Sequence, residues 1–168
     1  MDDHPVTREG IAQWIRQEPD FDICCEAKDA SNAIEALTST RPDIVLTAIT
    51  LQGRSGLELI KDIHAVQPDM PVLVVSMHEE SLYAERALAA CARGYIMKDE
   101  SGSKLVEAVR RVLSGQVYVS EKMSSSVLSL FSGNGKTALS TRYGIERLSD
   151  RDFEVFQFLG QGLSAHEI

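Results

Sequence analysis

Arg41-Pro42-Asp43-Ile44-Val45-Leu46-Thr47-Ala48-Ile49-Thr50-Leu51-Gln52-Gly53-Arg54-Ser55-Gly56 is the stretch on which the reading of this chain turns. Ile44 to Leu46 is a short apolar run closed by polar residues and glycines. That pattern predicts a strand buried on both faces of a parallel sheet. In open α/β sheets, chemistry sits just beyond the carboxyl ends of the strands. Thr47 to Leu51 is therefore where a reactive side chain belongs, and Ala48 at its centre has only a methyl group.

Outward from this stretch, strands and helices alternate. Upstream, Val6, Ile11, Trp14 and Ile15 mark an apolar helix face, Phe21 to Ala27 reads as a strand, and Ala30 to Thr40 as a helix. Downstream, a helix starts at Ser55, Pro71 to Val75 is a fully buried strand, and Leu82 to Cys91 is an alanine-rich helix. Gly94 to Met97 is a short strand. Ser103 to Ser114 then carries Leu105, Ala108, Val109, Val112 and Leu113 at the spacing of one helix face. This alternation predicts a doubly wound parallel α/β domain.

The quoted stretch resembles the third strand and following loop of a two-component receiver domain, a flavodoxin-like fold. In that family the run is Pro-Asp, three apolar residues, a variable residue, the acceptor Asp, then Ile, a variable residue and an apolar one before Pro-Gly-x-x-Gly. Asp43, Gly53 and Gly56 match; Ala48 stands at the phosphoacceptor position and Gln52 at the proline. The resemblance implies a metal-binding acidic pair at Asp2 and Asp3, with the backbone carbonyl of Thr50 as a further Mg²⁺ ligand. It implies phosphate-pocket roles for Ser76 and Lys98, and a switch role for Tyr95. Asp99 after Lys98, where many receivers have proline, is similar to the NarL/LuxR-type subgroup.

A phosphoryl acceptor needs a carboxylate nucleophile, and a methyl group cannot attack phosphorus. The sequence thus implies a receiver that cannot be phosphorylated on aspartate, with Mg²⁺ binding weak or absent because a carboxylate ligand is lost. In the five-stranded receiver fold, the acidic pair directly follows the central first strand. Here the pair is residues 2 and 3, so that strand is expected to be missing, with Met1 standing where an apolar strand residue belongs.

After Gly115 the composition changes. The expected organisation is a receiver over residues 1–115, then a linker over 116–147 with a helix from Lys122 to Phe131. Residues 148–168 form an N-terminal fragment of a LuxR-type helix-turn-helix domain. The last rests on Leu148-Ser149-Asp150-Arg151 and Gly162-Leu-Ser-Ala-His-Glu-Ile168, which match that domain's opening. Its DNA-reading helix would lie beyond Ile168. Gly135-Lys136-Thr137 has the tail of a phosphate-loop motif, but Leu130 stands where its first glycine belongs, and the match is chance.

The chain has 168 residues, a net charge of −8 and 43% hydrophobic residues. Residues 1–115 hold 12 Lys and Arg against 19 Asp and Glu. Nothing here supplies the basic excess that binds nucleic acid phosphates. No apolar run reaches the roughly 20 residues of a membrane span, so the expectation is a cytoplasmic protein without membrane contact. Cys24, Cys25 and Cys91 do not form a disulfide framework and are expected as buried free thiols. His4, His64, His78 and His166 show no metal-ligand spacing.

Together these readings predict a non-enzymatic response regulator controlling transcription. Its implied partner is a sensor histidine kinase, with DNA bound only through a complete helix-turn-helix. The alternative is a pseudo-receiver that acts through protein contacts or homodimerisation, without DNA.

Overall fold

The computed structural model describes residues 1–51, 54–125, 148–160 and 162. They fall into two compact units, Met1–Met123 and Ser124–Ile168. In the first, helix α1 (Pro5–Arg16) and helix α2 (Ala30–Thr40) precede strand β1 (Val45–Thr47). A small hairpin of β2 (Thr50–Leu51) and β3 (Arg54–Ser55) leads into α3 (Gly56–Val66). Then come β4 (Val72–Ser76), α4 (Glu80–Ala89), β5 (Gly94–Met97) and α5 (Gly102–Leu113). The sheet is parallel in the order β1-β4-β5, with Leu46 opposite Leu73 and Val75 opposite Ile96.

Burial follows the apolar pattern. All five residues of β4 are buried, as expected of a central strand covered on both faces. Leu73, Val75 and Ile96 pack with Ile15 of α1 and with Leu105, Ala108, Val109 and Val112 of α5. Alternation sends Val72 and Val74 to the opposite face, where α3 packs between α2 and α4. Leu57, Leu59, Ile60 and Ile63 of α3 are almost wholly covered.

Local chemistry sets the helix ends. Asp29 accepts from the Asn32 N–H at 2.9 Å to open α2, and Ser101 accepts from the Lys104 N–H to open α5. Helix α1 corrects one expectation: Ala12 and Ile15 are buried, whereas Val6 is 86% exposed and Trp14 46%. Val6 belongs to the first turn and lies off the face that meets α5.

Two further expectations are corrected. Phe21 to Ala27 forms no regular strand. Among the described residues its ladder contact is with Asp2, at Ala27. The Met1 amine donates to the Leu46 carbonyl, the Ala48 N–H donates to Met1 O at 3.1 Å, and the Asp2 N–H donates to Ala27 O at 3.4 Å. These bonds place Met1 and Asp2 at the carboxyl end of a central strand position, as the sequence reading anticipated. The cysteines are free, but all three are exposed. Cys24 and Cys25 lie on the unladdered segment, and Cys91 sits at φ 78° in the turn after α4.

Residues 116–123 pack within the first unit, beyond the expected boundary at 115. The Tyr95 N–H donates to Tyr118 O at 2.8 Å and the Tyr118 N–H to Arg93 O at 3.0 Å, which extends pairing along β5. Ser120 caps a helical turn at 121–125, the start of the expected linker helix; the rest of that helix and Gly135-Lys136-Thr137 lie outside the described residues.

The second unit contributes helix α6 (Asp150–Gly160). Ser149 accepts from the Asp152 N–H at 3.2 Å, and Asp150 and Asp152 occupy the first turn, where the helix dipole favours acidic groups. Phe156 and Leu159 are about half exposed. Residues 163–168 of the expected helix-turn-helix match lie outside the described residues.

Gly56 fixes the loop after β1. Its N–H donates to Ile49 O at 2.6 Å, and a Cβ there would lie 2.8 Å from that oxygen and closer still to the Ala48 carbonyl. Both neighbours are backbone and cannot swing away. Gly56→Ala is expected to lower the melting temperature by at least several degrees, since overpacking of this kind costs about 1–3 kcal/mol. Thermal unfolding followed by circular dichroism checks it; an unchanged midpoint is the contrary result.

Candidate functional site

Three strands deliver the site to one end of the sheet. Ala48 directly follows β1, Ser76 ends β4, and Lys98 directly follows β5. The ladder holds these ends level, with Thr47 opposite Val74 and Ser76 opposite Met97. Asp2 and Asp3 join them because Met1 is hydrogen-bonded beside β1. The residues singled out in the sequence, spread over almost a hundred positions, therefore converge.

Asp2 is buried, and its carboxylate meets the Lys98 ammonium at 2.6 Å. Its other oxygen accepts the His4 N–H at 2.9 Å, and its carbonyl accepts from Arg8 at 2.7 Å. Asp3 lies 2.8 Å from the His4 imidazole. The solvent-shielded Asp2 Oδ2 and Asp3 Oδ1 accept no aligned hydrogen bond; Asp2 Oδ2 faces the Lys98 ammonium and Asp3 Oδ1 the His4 ring. Asp2, Asp3 and His4 bring ligand atoms within 4.8 Å of one another. Shielded carboxylate oxygens suit a hard divalent cation. Lys98 already neutralises Asp2, however, and Ala48 adds no third carboxylate.

Ala48 is 3% exposed. Both neighbouring hydroxyls are hydrogen-bonded. The buried Thr47 hydroxyl is bonded to the Ala48 carbonyl at 3.1 Å, and Thr50 Oγ1 is 2.7 Å from His78 Nε2. Ser76 Oγ accepts the His78 N–H at 3.0 Å. Tyr95 is fully buried and points inward, its hydroxyl donating to the His78 carbonyl at 2.8 Å; burial pushes that phenol well up. Gln52 and Gly53 lie outside the described residues.

His4 and His78 are the participants that sequence reasoning missed. His78 bonds or bridges Thr50, Ser76 and Tyr95, and His4 adjoins the acidic pair. The available signal was adjacency: each lies within two residues of a position already assigned. Searching only for His–His or His–Cys spacing passed over it.

Two basic groups prefer to be neutral here. Burial lowers the Met1 amine from 8.0 to about 6, and burial and then Lys98 lower His78 below its usual value. A folded pKa below the unfolded one means that the unfolded chain binds the extra proton first. The stability tied to the neutral Met1 amine is thus complete above pH 8 and is lost as pH falls toward 6, whereas that tied to neutral His78 is lost only below its ordinary value of 6.5. For Met1 alone the loss is about 2–3 kcal/mol. Urea unfolding midpoints are expected to fall from pH 8 to pH 6, and Nα-acetylation is expected to flatten that slope. A midpoint constant over this range is the contrary result.

The arrangement is that of a receiver domain, with Ala48 just past the end of β1. Residues 1–110 match the family model described as the response regulator receiver domain, and the chain belongs to that family. The transcriptional regulatory protein DegU of Brevibacillus brevis is 29% identical over 98% of this chain and 74% of its own length. The oxygen regulatory protein NreC of Staphylococcus carnosus is 30% identical over 99% of this chain and 78% of its own. A crystal structure of a LuxR-family two-component response regulator from Aurantimonas superposes with a TM-score of 0.71. It is 33% identical and covers 76% of this chain and 91% of that one. The chain is a two-component response regulator of the NarL/LuxR type. Among the described residues, no helix is long and apolar enough to cross a membrane.

Proposed function

We propose that this response regulator signals from one fixed receiver state, independent of aspartyl phosphorylation. The observation carrying this reading is Ala48 at the acceptor position, with Lys98 engaged by Asp2 instead. In the family resemblance, Lys98 and Ser76 serve the incoming phosphoryl group and Tyr95 reports its arrival. Here Ser76 is tied to His78, and Tyr95 is held inward by the His78 carbonyl. These residues then define a resting geometry, with no covalent event to alter it.

Asp2, Asp3 and the Thr50 carbonyl are the proposed Mg²⁺ ligands. When bound, the cation would offset anionic charge beside Ala48. Binding is proposed as weak or absent, because the Lys98 ammonium competes for Asp2 and position 48 contributes no carboxylate. Calorimetric titration with Mg²⁺ is expected to show no saturable heat at low millimolar concentration, and Ala48→Asp is expected to create it. Saturable binding by the unaltered chain would overturn this part of the reading.

The proposed setting is the cytoplasm, the proposed upstream partner a sensor histidine kinase, and the proposed role non-enzymatic. DNA is the proposed target of a helix-turn-helix that α6 begins, since Ser149 and the acidic first turn give α6 the expected start. The second reading, a pseudo-receiver working through protein contacts alone, is favoured by the acidic charge of residues 1–115. Footprinting on a cognate promoter with the intact protein separates the two: a defined footprint supports the first.

A further inference from the structure

A cleft of about 490 Å³ opens between α1 and the start of α5, at the carboxyl ends of β4 and β5. Its apolar walls are Ile11 and Trp14 of α1, Val75 of β4, Met97 of β5 and Leu105 of α5, with Met77 just past β4. Val75 and Leu105 are buried, whereas Met77 is 75% exposed and Trp14 46%. A space of this size and lining suits a small organic molecule. Among the described residues, neither Met1 nor segment 21–27 contributes to it.

Two glycines shape the cleft. At Gly102 an added Cβ would fall 1.9 Å from the indole of Trp14, so the ring rests directly on the backbone that opens α5. At Gly10 an added Cβ would meet nothing within 4 Å. Gly10 and Trp14 are four residues apart and share one face of α1, so the open space adjoins the indole. Three charged residues also line the cleft, and two are already paired. Lys98 faces Asp2 at 2.6 Å, and Glu100 accepts from Lys104 at 2.7 Å. The exposed Asp99 makes no hydrogen bond or ion pair through its side chain among the described residues. The uncompensated charge of the cleft is therefore negative, and it shares the space with an indole and two thioethers. Indole faces attract cations, and thioether sulfur favours contact with aromatic rings.

We propose that this cleft binds a small organic cation of the aryl-alkyl ammonium class. The ammonium group pairs with the Asp99 carboxylate in a charge-assisted hydrogen bond. The aromatic body lies beside Gly10, against Trp14, Met77 and Met97. Gly10, Trp14 and Asp99 have no part in the phosphorylation pocket, so this site stands apart from the chemistry of residue 48.

Trp14 is the single tryptophan of the chain, so its fluorescence reports the cleft directly. Titration of the full chain with phenethylamine is expected to change Trp14 emission saturably in the millimolar range. Phenethyl alcohol, its uncharged isostere, is expected to bind about fivefold more weakly, the scale of one exposed ion pair. Asp99→Asn is expected to reduce phenethylamine to the affinity of the alcohol. Gly10→Leu fills the open space and is expected to abolish the response to both compounds. Its thermal unfolding midpoint is expected to be unchanged or raised, because a helical glycine is removed. No saturable response to phenethylamine, equal affinity for amine and alcohol, or an Asp99→Asn variant that binds the amine unchanged would each overturn the proposal. A folded Gly10→Leu variant that still responds would do the same.

Discussion

Incubated with acetyl phosphate and Mg²⁺, this chain is expected to keep its unmodified mass, whereas Ala48→Asp is expected to gain one phosphoryl group. The difference is all or none. An acyl phosphate forms only when a carboxylate oxygen attacks phosphorus, and position 48 carries a methyl group. Nearby hydroxyls are engaged, Thr47 with the Ala48 carbonyl and Thr50 with His78. The proposed remainder of the pocket converges beside it: Asp2 and Asp3 as the proposed cation ligands, and Ser76 and Lys98 at neighbouring strand ends. Intact-mass spectrometry reads the result directly. Phosphorylation of the unaltered chain, at any residue, would overturn the proposed function. A folded Ala48→Asp variant that stays unlabelled would instead overturn the roles assigned to Asp2, Asp3, Ser76 and Lys98.

Lys98→Met is expected to destabilise the receiver by about 3–5 kcal/mol, the usual consequence of leaving a buried charge without its partner. Asp2 is 1% exposed, and Lys98 reaches it at 2.6 Å. The methionine retains most of the aliphatic stem, so the loss isolates the ammonium. Asp2→Asn combined with Lys98→Met is expected to recover a large part of the stability, since neither partner is then an unpaired charge. Chemical denaturation of the two single variants and the double variant forms the cycle. Additive losses would show that the pair is not coupled, and would remove the basis for a receiver state held by Lys98 and Asp2.

These two results bear on different parts of the proposal. The first concerns chemistry, and depends on a single missing carboxylate. The second concerns conformation, and asks whether the remaining pocket has a new internal partner. A receiver that fails to phosphorylate yet shows no Lys98–Asp2 coupling would be inert in chemistry without being held in a defined state.

The strand–helix alternation was legible in the sequence because period and composition are local properties. The continuous apolar run at Val72 to Val75, the 3.6-residue spacing in α5 and the Ser149 cap of α6 each act within one element. The methyl group at position 48 was equally legible. Pairing across the fold was not. Phe21 to Ala27 has strand composition yet forms no regular strand, and Cys24 and Cys25 are exposed. The Lys98–Asp2 pair joins residues almost a hundred positions apart, and the His78–Thr50 contact joins two loops. Such contacts depend on where packing places each strand end. Sequence by itself determined the elements and the methyl group at position 48; tertiary structure decided which charges meet, because packing alone sets the strand ends side by side.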